Sequence, residues 1–303
     1  MLHFTPVTLH HKDAVNALLG SQAMLPCELC FSNIFLWAEQ YHTEIAFQDD
    51  MLFIKGRVGN RAMHKMPIGT GGLLAAVNTL FAEADFSTLY AITEEGKAAL
   101  EGAFPEAFSY TEDRDNADYI YTSDKLITLS GKKLHAKRNH IHKFQAAYQE
   151  SAHFEVLSDD NLEDVLLFHM DWCKKNGCAG TLHHEVCAVK KAFAHFRELD
   201  LQGLCLKLDG RVAAYSYGTR LTADTFVIHA EKADGELPGA YAVINRQMAE
   251  VYGKEFTYIN REEDMGLEGL RKAKLSYQPD ILRLRYNAQW NNSAMQKNTK
   301  KSQ

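Results

Sequence analysis

The chain carries one order of predicted secondary-structure elements twice. In its second half, a strand-like segment at 153–158 precedes two helices with apolar residues every three or four positions. A strand pair follows and turns at Asp209 and Gly210, a dipeptide that favours tight hairpins, and a third strand (224–232) completes a meander. A helix, a strand, a helix and a last strand end the series. The first half shows the same order, with its hairpin turning at Asp49 and Asp50.

This repetition divides a chain of 303 residues into two domains. A typical domain holds about 150 residues, so each half is long enough to bury its own core. Two copies of one element order indicate the duplication of one structural unit. We predict an N-terminal domain at 1–125, a basic linking helix at 126–150, a C-terminal domain at 151–288 and a polar, disordered tail at 289–303.

Composition narrows the class of protein. The net charge of −6, with 46% hydrophobic and 24% charged residues, is typical of a globular protein and not of a disordered or polycationic one. The first residues lack the basic and then apolar regions of a signal peptide, and no apolar run approaches the roughly 20 residues that span a bilayer. We therefore predict a cytoplasmic protein without a transmembrane segment.

The cysteines do not predict a disulfide framework or a metal site. Six cysteines are too few and too scattered in this chain for a framework, which predicts reduced thiols. Cys27 and Cys30 supply only half of a four-ligand zinc site. His183 and Cys187 lie four residues apart on a predicted helix, but no further ligand cluster completes a site with them. We predict no metal ion.

A basic segment stands out in this acidic chain. Residues 131–149 contain no acidic residue, and their apolar residues fall at helical spacing, which leaves a basic face outside. Such a face attracts phosphate, nucleic acid or an acidic lipid surface, so tRNA is a candidate partner. The alternative is a helix that bridges the two domains and pairs with acids of a neighbour. The packing residues are Leu134, Ile141, Phe144 and Tyr148. The candidate anion-binding residues are Lys132, Lys133, Lys137 and Arg138.

A second charged cluster follows a predicted strand of the second half. Asn260, Arg261 and Glu262 lie where this strand ends and a helix begins, the position at which open α/β sheets bind ligands. Arg261 can bind a carboxylate or phosphate with two donors, Glu262 or Glu263 can hold an ammonium group, and Asp264 is placed to cap the helix. The alternative is a solvated helix with an acidic start and a basic end. The candidate substrate-binding residues are Asn260, Arg261, Glu262, Tyr241, Lys272 and Lys274. We expect Arg261→Ala to abolish ligand binding with little loss of stability.

The element order and three segments resemble a known family. The segments are "SDKLITLSGKKLHAKRNHIHKF", "GELPGAYAVINRQ" and "INREEDMGLEGLRKAKLSYQP". They resemble bacterial proteins grouped with the C-terminal domain of phosphatidylglycerol lysyltransferase, within the GNAT acyltransferase superfamily. The resemblance implies an α/β protein with tandem GNAT-like folds, each a mixed sheet flanked by helices. It also implies transfer of an acyl or aminoacyl group to an amine or a hydroxyl.

The resemblance also suggests where a donor would bind. The acyl-CoA signature of the superfamily falls on residues 232–240, where only Gly239 and Ala240 keep the small residues, and Asp234 and Glu236 place negative charge where a pyrophosphate would lie. Charged tRNA is therefore a stronger candidate donor than acetyl-CoA, and no tightly bound cofactor is expected. The candidate cofactor-binding residues are Lys232, Gly235, Gly239 and Ala240.

Within this resemblance, acyl transfer needs a general base and donors for a developing oxyanion. Glu231, at the end of the third meander strand, is the candidate base. Tyr217 and Tyr241 are candidate donors, and the alternative for both is a core aromatic with a satisfied hydroxyl. No nucleophile triad, P-loop or dinucleotide fingerprint is present at the expected spacing. A second hypothesis is a non-catalytic, regulatory or small-metabolite-binding protein on a degenerate acyltransferase fold.

Overall fold

The chain divides into two units in a computed structural model that describes residues 1–20, 25–176 and 181–291. Unit 1 consists of Met1–Ala117 and Arg283–Gln303, and unit 2 of Asp118–Leu282. Each unit is built on one sheet that carries its own helices. The two-domain prediction thus has a structural counterpart, with different boundaries.

Unit 1 contains these elements in its described residues: β1 (Thr5–Pro6), α1 (Lys12–Leu19), α2 (Phe31–Leu36), α3 (Ala38–Tyr41), β2 (Glu44–Gln48), β3 (Met51–Val58), β4 (Arg61–Lys65), β5 (Ile68–Gly69), α4 (Leu73–Phe81), β6 (Thr88–Ile92), α5 (Glu94–Ala103), β7 (Phe108–Glu112) and, from the end of the chain, β15 (Tyr286–Trp290). Its sheet has the order β1-β2-β3-β4-β6-β15-β7, with β5 beside β3. The predicted hairpin turn is confirmed, because Asp49 and Asp50 join β2 to β3 with positive φ angles of 51° and 56°.

Unit 2 contains β8 (Asp118–Thr122), α6 (Ser123–Thr128), α7 (His135–Tyr148), β9 (Ala152–Val156), α8 (Leu162–Lys175), α9 (Thr181–Ala194), β10 (Gln202–Leu208), β11 (Arg211–Arg220), β12 (Thr225–Ala233), α10 (Ala240–Val251), β13 (Tyr258–Asn260), α11 (Glu268–Leu275) and β14 (Ile281–Arg283). Its sheet has the order β14-β8-β13-β12-β11-β10-β9. The strands β9 to β12 form the predicted meander, and β12 pairs with β13 in parallel.

The two sheets exchange one strand each. β8, which we predicted as the last strand of the first half, pairs with β13 in the sheet of unit 2. β15 pairs with β6 and β7 in the sheet of unit 1. The predicted last strand of the second half is therefore two strands, β14 and β15, which belong to different sheets. This exchange moves the boundary of unit 2 to Asp118 and returns the end of the chain to unit 1.

The segment 126–150, which we predicted as a linking helix, lies inside unit 2. The predicted apolar stripe is confirmed, because Leu134, Ile141 and Phe144 are buried in the core with α10 and with the sheet, and Tyr148 packs against them. Residues 289 and 290 of the predicted tail continue β15, and residues 292–303 lie outside the described residues. The predicted helix stop at Gly177 also lies outside them.

Candidate functional site

β12 and β13 separate at their carboxyl ends. They pair in parallel only from Thr225–Tyr258 to Val227–Asn260, and β12 then continues to Ala233. The chain after Asn260 stays with β8 instead, because the Arg261 amide donates to the Tyr119 carbonyl at 2.9 Å. We call the space between 228–233 and 261–263 the β12–β13 gap. The carboxyl ends of neighbouring parallel strands are where open α/β sheets bind ligands.

A buried ion pair crosses the β12–β13 gap. Arg261 donates to one oxygen of Glu231 at 2.7 Å, and Asn245 of α10 donates to the other at 2.9 Å. The side chains of Arg261 and Glu231 are only 11% and 8% exposed. The Arg261 guanidinium lies 4.7 Å from the ring centre of Tyr277 and 5.7 Å from that of Tyr121. Burial alone would lower the pKa of Arg261, but Glu231 and the two tyrosines keep it above its ordinary value.

A second pair, His229 with Glu262, also crosses the gap. His229 Nδ1 lies 2.9 Å from a Glu262 carboxylate oxygen, and the two side chains are 3% and 18% exposed. Because a carboxylate only accepts hydrogen bonds, Nδ1 carries the hydrogen, and in the neutral ring Nε2 carries the basic lone pair. The ring of Tyr217 lies 6.0 Å from that of His229. Burial, and then the charges of Glu262 and Glu185, raise the pKa of Tyr217 far above its ordinary value, so its hydroxyl stays protonated.

Lys137 brings a second cation to the same cluster. It extends from α7, and its ammonium lies 4.1 Å from the ring centre of Tyr277, the ring that also contacts Arg261. Burial and the charge of Arg261 lower the pKa of Lys137 to about 8, against the opposing effect of Glu231. Lys137 is therefore partly neutral at physiological pH, unlike an ordinary surface lysine.

The other predicted anion-binding residues take different positions. Arg138 donates to the carbonyls of Leu129 and Gly131, so its guanidinium holds the turn between α6 and α7. Lys132 and Lys133 are exposed. Thus the structure divides the predicted basic face into an exposed part and two side chains that turn toward the protein.

Two of the predicted substrate-binding residues hold the backbone of the charged corner. Asn260 is fully buried, donates to Asp118 at 3.0 Å and accepts from the Glu262 amide at 2.8 Å. Lys274 is also buried, and its ammonium donates to the carbonyls of Arg261 and Glu263. These contacts fix the segment from which Arg261 and Glu262 extend. Lys272 is exposed on α11.

Asp264 does not cap α11, and that prediction was wrong. The helix begins at Glu268, with Leu267 at the N-cap position. The buried carboxylate of Asp264 instead accepts two hydrogen bonds from Arg271 at 2.8 Å, one from Tyr119 and one from the Gly266 amide. Burial acts to raise the pKa of Asp264, but these donors hold it far below its ordinary value.

A polar cluster lies before α10, around the predicted Lys232 and Tyr241. The Lys232 ammonium contacts Glu185 at 2.7 Å and lies 4.4 Å from the ring centre of Trp172. Trp172 in turn donates to the hydroxyl of Tyr241 at 3.1 Å. Beside this cluster, Glu231 and Lys232 extend to opposite faces of the sheet, as successive residues of a strand do.

The loop from Asp234 to Ala240 is closed on one side by α7. Gly239 has a φ of +96°, and a side-chain Cβ there would lie 2.5 Å from the carbonyl oxygen of His140. Ala240 is fully buried, whereas a Cβ on Gly235 would meet nothing within 4 Å. The Asp234 carboxylate accepts from the Glu236 amide at 3.0 Å. Of the predicted cofactor-binding residues, Gly235 alone borders open space.

Two residues of this cluster, His229 and Asn245, were not among the predicted site residues. Lys137 was predicted as part of an anion-binding face, and its side chain instead turns toward Tyr277. His229 is the extra residue of a β-bulge, since Tyr217 pairs with Ala230 and Gly218 with Ile228. A bulge re-aims one side chain and leaves little trace in the alternation of polar and apolar residues. The histidine two positions before Glu231 was the available signal.

Comparison with known proteins places the chain in a family. The family model described as "Phosphatidylglycerol lysyltransferase, C-terminal" matches residues 23–289. The chain belongs to this family. The resemblance carried by the three sequence segments is thereby confirmed, and so is the tandem GNAT-like fold with two mixed sheets flanked by helices. Within the described residues, no helix is both long and apolar enough to cross a membrane.

Several relatives are similar over most of the chain. A conserved protein of unknown function from Bacteroides thetaiotaomicron is 38% identical, with a TM-score of 0.92 over 96% of this chain and 100% of that one. L-PGS from Bacillus licheniformis is 17% identical, with a TM-score of 0.65 over 95% and 93%. FemX is 10% identical, with a TM-score of 0.60 over 97% and 99%.

A curated relative matches a shorter stretch. The uncharacterised protein MYCGA3080 of Mycoplasmoides gallisepticum is 26% identical over 182 residues, which are 56% of this chain and 55% of that protein. The match thus spans about half the length of this relative. Membership of the family and the structural neighbours support an acyl- or aminoacyl-transferase-like fold.

Proposed function

We propose that unit 2 transfers an acyl or aminoacyl group to an amine or a hydroxyl, with the reacting groups in the β12–β13 gap. The observation that carries the proposal is the pair of buried charged contacts across the gap, His229 with Glu262 and Arg261 with Glu231. They place a basic nitrogen and a guanidinium at the carboxyl end of the sheet, in a chain whose family is named for a transferase.

The two pairs suggest separate roles. The acceptor loses a proton as it attacks the acyl carbon, and His229 takes this proton on Nε2 while Glu262 orients the ring. Arg261 donates to the acyl oxygen as negative charge develops there. Tyr217 lies beside His229 with its hydroxyl protonated, on the opposite face of the sheet from Arg261. Both carboxylate oxygens of Glu231 accept hydrogen bonds, one from Arg261 and one from Asn245. We therefore propose that Glu231 positions Arg261 and does not act as the general base.

Aminoacyl-tRNA is the donor that the chain favours over acyl-CoA. Asp234 and Glu236 stand in the loop where a pyrophosphate would bind, and the carbonyl of His140 closes that loop at Gly239. Lys132, Lys133 and their helix neighbour Lys143 are exposed and can contact phosphates. Use of charged tRNA would place the protein in the cytoplasm.

The test is a transfer assay with labelled donors. The protein is incubated with bulk tRNA charged with labelled amino acids and, in parallel, with labelled acyl-CoAs. Each mixture also contains pooled acceptors, which are amines, amino acids and hydroxyl compounds. The labelled products are then separated from the donor. We expect transfer from aminoacyl-tRNA that falls at least 100-fold in His229→Gln, in line with the usual contribution of a general base. His153→Gln is the matched control, because His153 also pairs with a glutamate, Glu155, but is 53% exposed.

Three results decide the proposal. Loss of transfer in His229→Gln with full transfer in His153→Gln supports it. Equal transfer in both variants would remove the gap from the reaction. Binding of a small metabolite without any transfer would favour the non-catalytic binding protein.

A further inference from the structure

Three buried polar atoms surround the Glu231 carboxylate without a hydrogen-bond partner in the described part of the chain. They are Nη1 of Arg261, Oδ1 of Asn245 and Oγ of Ser216. Asn245 and Ser216 are fully buried. A buried polar atom without a partner costs about 1–3 kcal/mol, so a bound polar group that satisfies these three atoms would be stabilised by them.

The strand register brings Ser216 to the same side as Glu231. Ser216 pairs directly with Glu231 across β11 and β12, and directly opposed residues of antiparallel strands point to the same face. Tyr215, next to Ser216, extends to the other face, where its hydroxyl bonds His169 of α8 at 2.8 Å. Ser216 therefore faces α10, from which Asn245 reaches Glu231.

The charges of this cluster are not balanced. Arg261 and Lys137 both contact the ring of Tyr277, and Glu231 is the carboxylate that contacts Arg261. Two cations thus stand beside one anion, and the charge of Arg261 is a cause of the lowered pKa of Lys137. A second negative group near Arg261 Nη1 would restore the balance.

The three atoms also set the chemistry of the group that fits. Arg261 Nη1 can only donate, so it needs an acceptor oxygen, whereas Asn245 Oδ1 can only accept, so it needs an N–H or O–H donor. A simple carboxylate leaves Asn245 Oδ1 without a donor. A simple amine leaves Arg261 Nη1 without an acceptor and places no negative charge beside the two cations. A molecule with a carboxylate and an amine on the same carbon satisfies both.

We propose that this cluster, defined as Arg261, Asn245, Ser216 and Lys137 around Glu231, binds the α-carboxylate and α-amine of an amino acid. The carboxylate lies against Arg261 Nη1 and Lys137, and the amine donates to Asn245 Oδ1. This rests on the proposed function, in which the amino acid is the acceptor. Its ammonium first loses one proton to the solvent. The neutral nitrogen then forms a new amide bond with the acyl carbon of the donor, the ester C–O bond breaks, and a second proton of the nitrogen passes through His229 to the leaving oxygen.

The binding test uses the full chain without a donor. The thermal midpoint and calorimetric affinity are measured with each of the twenty amino acids singly, and with acetate, ethanolamine, glycine methyl ester and inorganic phosphate. We expect at least one amino acid to bind, and its carboxyl methyl ester to bind at least 10-fold more weakly. If no amino acid binds, or if an ester, ethanolamine or phosphate binds as well as the amino acid, the proposal is overturned.

Variants locate the binding. Ser216→Ala removes a hydroxyl that has no described partner and leaves the Arg261–Glu231 ion pair intact. We therefore expect unchanged stability of the fold and an affinity for the amino acid that is about 5-fold lower or more. Lys137→Met keeps an aliphatic stem over Tyr277, removes the charge and should weaken binding about 10-fold. Lys174→Met, at a side chain of α8 that is 74% exposed, should bind as the wild type does. Unchanged affinity in both Ser216→Ala and Lys137→Met would exclude this cluster.

Failure of this inference can be told from failure of the transferase proposal. Amino-acid binding without any transfer would uphold the cluster and overturn the transferase. Transfer to an acceptor that has no carboxylate, with no amino-acid binding, would uphold the transferase and overturn the cluster.

Discussion

Replacing Arg261 by methionine should destabilise unit 2 strongly. The variant leaves Glu231 with only the Asn245 amide as a described partner, in a position where the carboxylate is 8% exposed. Removing one partner of a buried ion pair costs about 3–5 kcal/mol, because the other charge remains buried and uncompensated. For a unit of this size, that corresponds to a fall of about 6–20 °C in the unfolding midpoint. The structure thus replaces our sequence-based expectation that removal of Arg261 leaves stability nearly unchanged.

The assay is urea unfolding, followed by circular dichroism, of the wild type, Arg261→Met and the double variant Glu231→Gln/Arg261→Met. The double variant removes both charges, so we expect it to recover most of the loss, to within about 1–2 kcal/mol of the wild type. Lys207→Met is the matched control on the same sheet. Its partner Glu155 is 34% exposed, so water screens this ion pair and the loss of stability should be much smaller than in Arg261→Met. Arg261→Met as stable as Lys207→Met, or a double variant no more stable than Arg261→Met, would refute the reasoning.

Three further predictions concern stability. Burial lowers the pKa of His169 to about 4, so between about pH 6.5 and 4 the unfolded chain binds a proton that the folded chain does not. The free energy of unfolding, measured in urea, should therefore fall by about 3 kcal/mol as the pH falls through this window. In His169→Gln the fall should be smaller. Gly239→Ala should lower the free energy of unfolding in urea by about 2 kcal/mol or more, because residue 239 has a φ of +96° and the new Cβ would lie 2.5 Å from the His140 carbonyl oxygen. Gly235→Ala should leave it nearly unchanged, because a Cβ there meets nothing within 4 Å. Asp264→Asn should cost about 2–3 kcal/mol at neutral pH, since it weakens the paired bonds from Arg271; a midpoint within 1 °C of the wild type would contradict the assigned network.

Local signals in the sequence predicted the elements that local interactions determine. The turns at Asp49–Asp50 and Asp209–Gly210 follow from residues that tolerate positive φ, and the buried stripe of α7 follows from its helical spacing. The exchange of β8 and β15 between the sheets does not follow in this way. The residue pattern of neither strand specifies its sheet, and the choice depends on contacts between residues far apart in sequence.

For the candidate site, the sequence predicted some of the residues but not their partners. Arg261 and Glu231 were singled out by their positions at strand ends, but their pairing depends on how β12 and β13 separate. Lys274 was expected to meet a ligand because it is a lysine on a charged helix, and the fold instead directs its ammonium to two backbone carbonyls. His229 depends on a β-bulge that the sequence does not reveal. Charge patterns therefore indicated the region, while the partner of each group required the tertiary structure.

The most direct test of the β12–β13 gap as the reaction site is a crystal structure with a non-hydrolysable aminoacyl donor analogue, in which an amide joins the amino acid to the terminal adenosine. The account predicts the analogue's carbonyl oxygen within hydrogen-bond distance of the Arg261 guanidinium, and its acyl carbon on the side of the gap that His229 lines. An analogue bound elsewhere in the protein, with the gap empty at saturating concentration, would contradict the account.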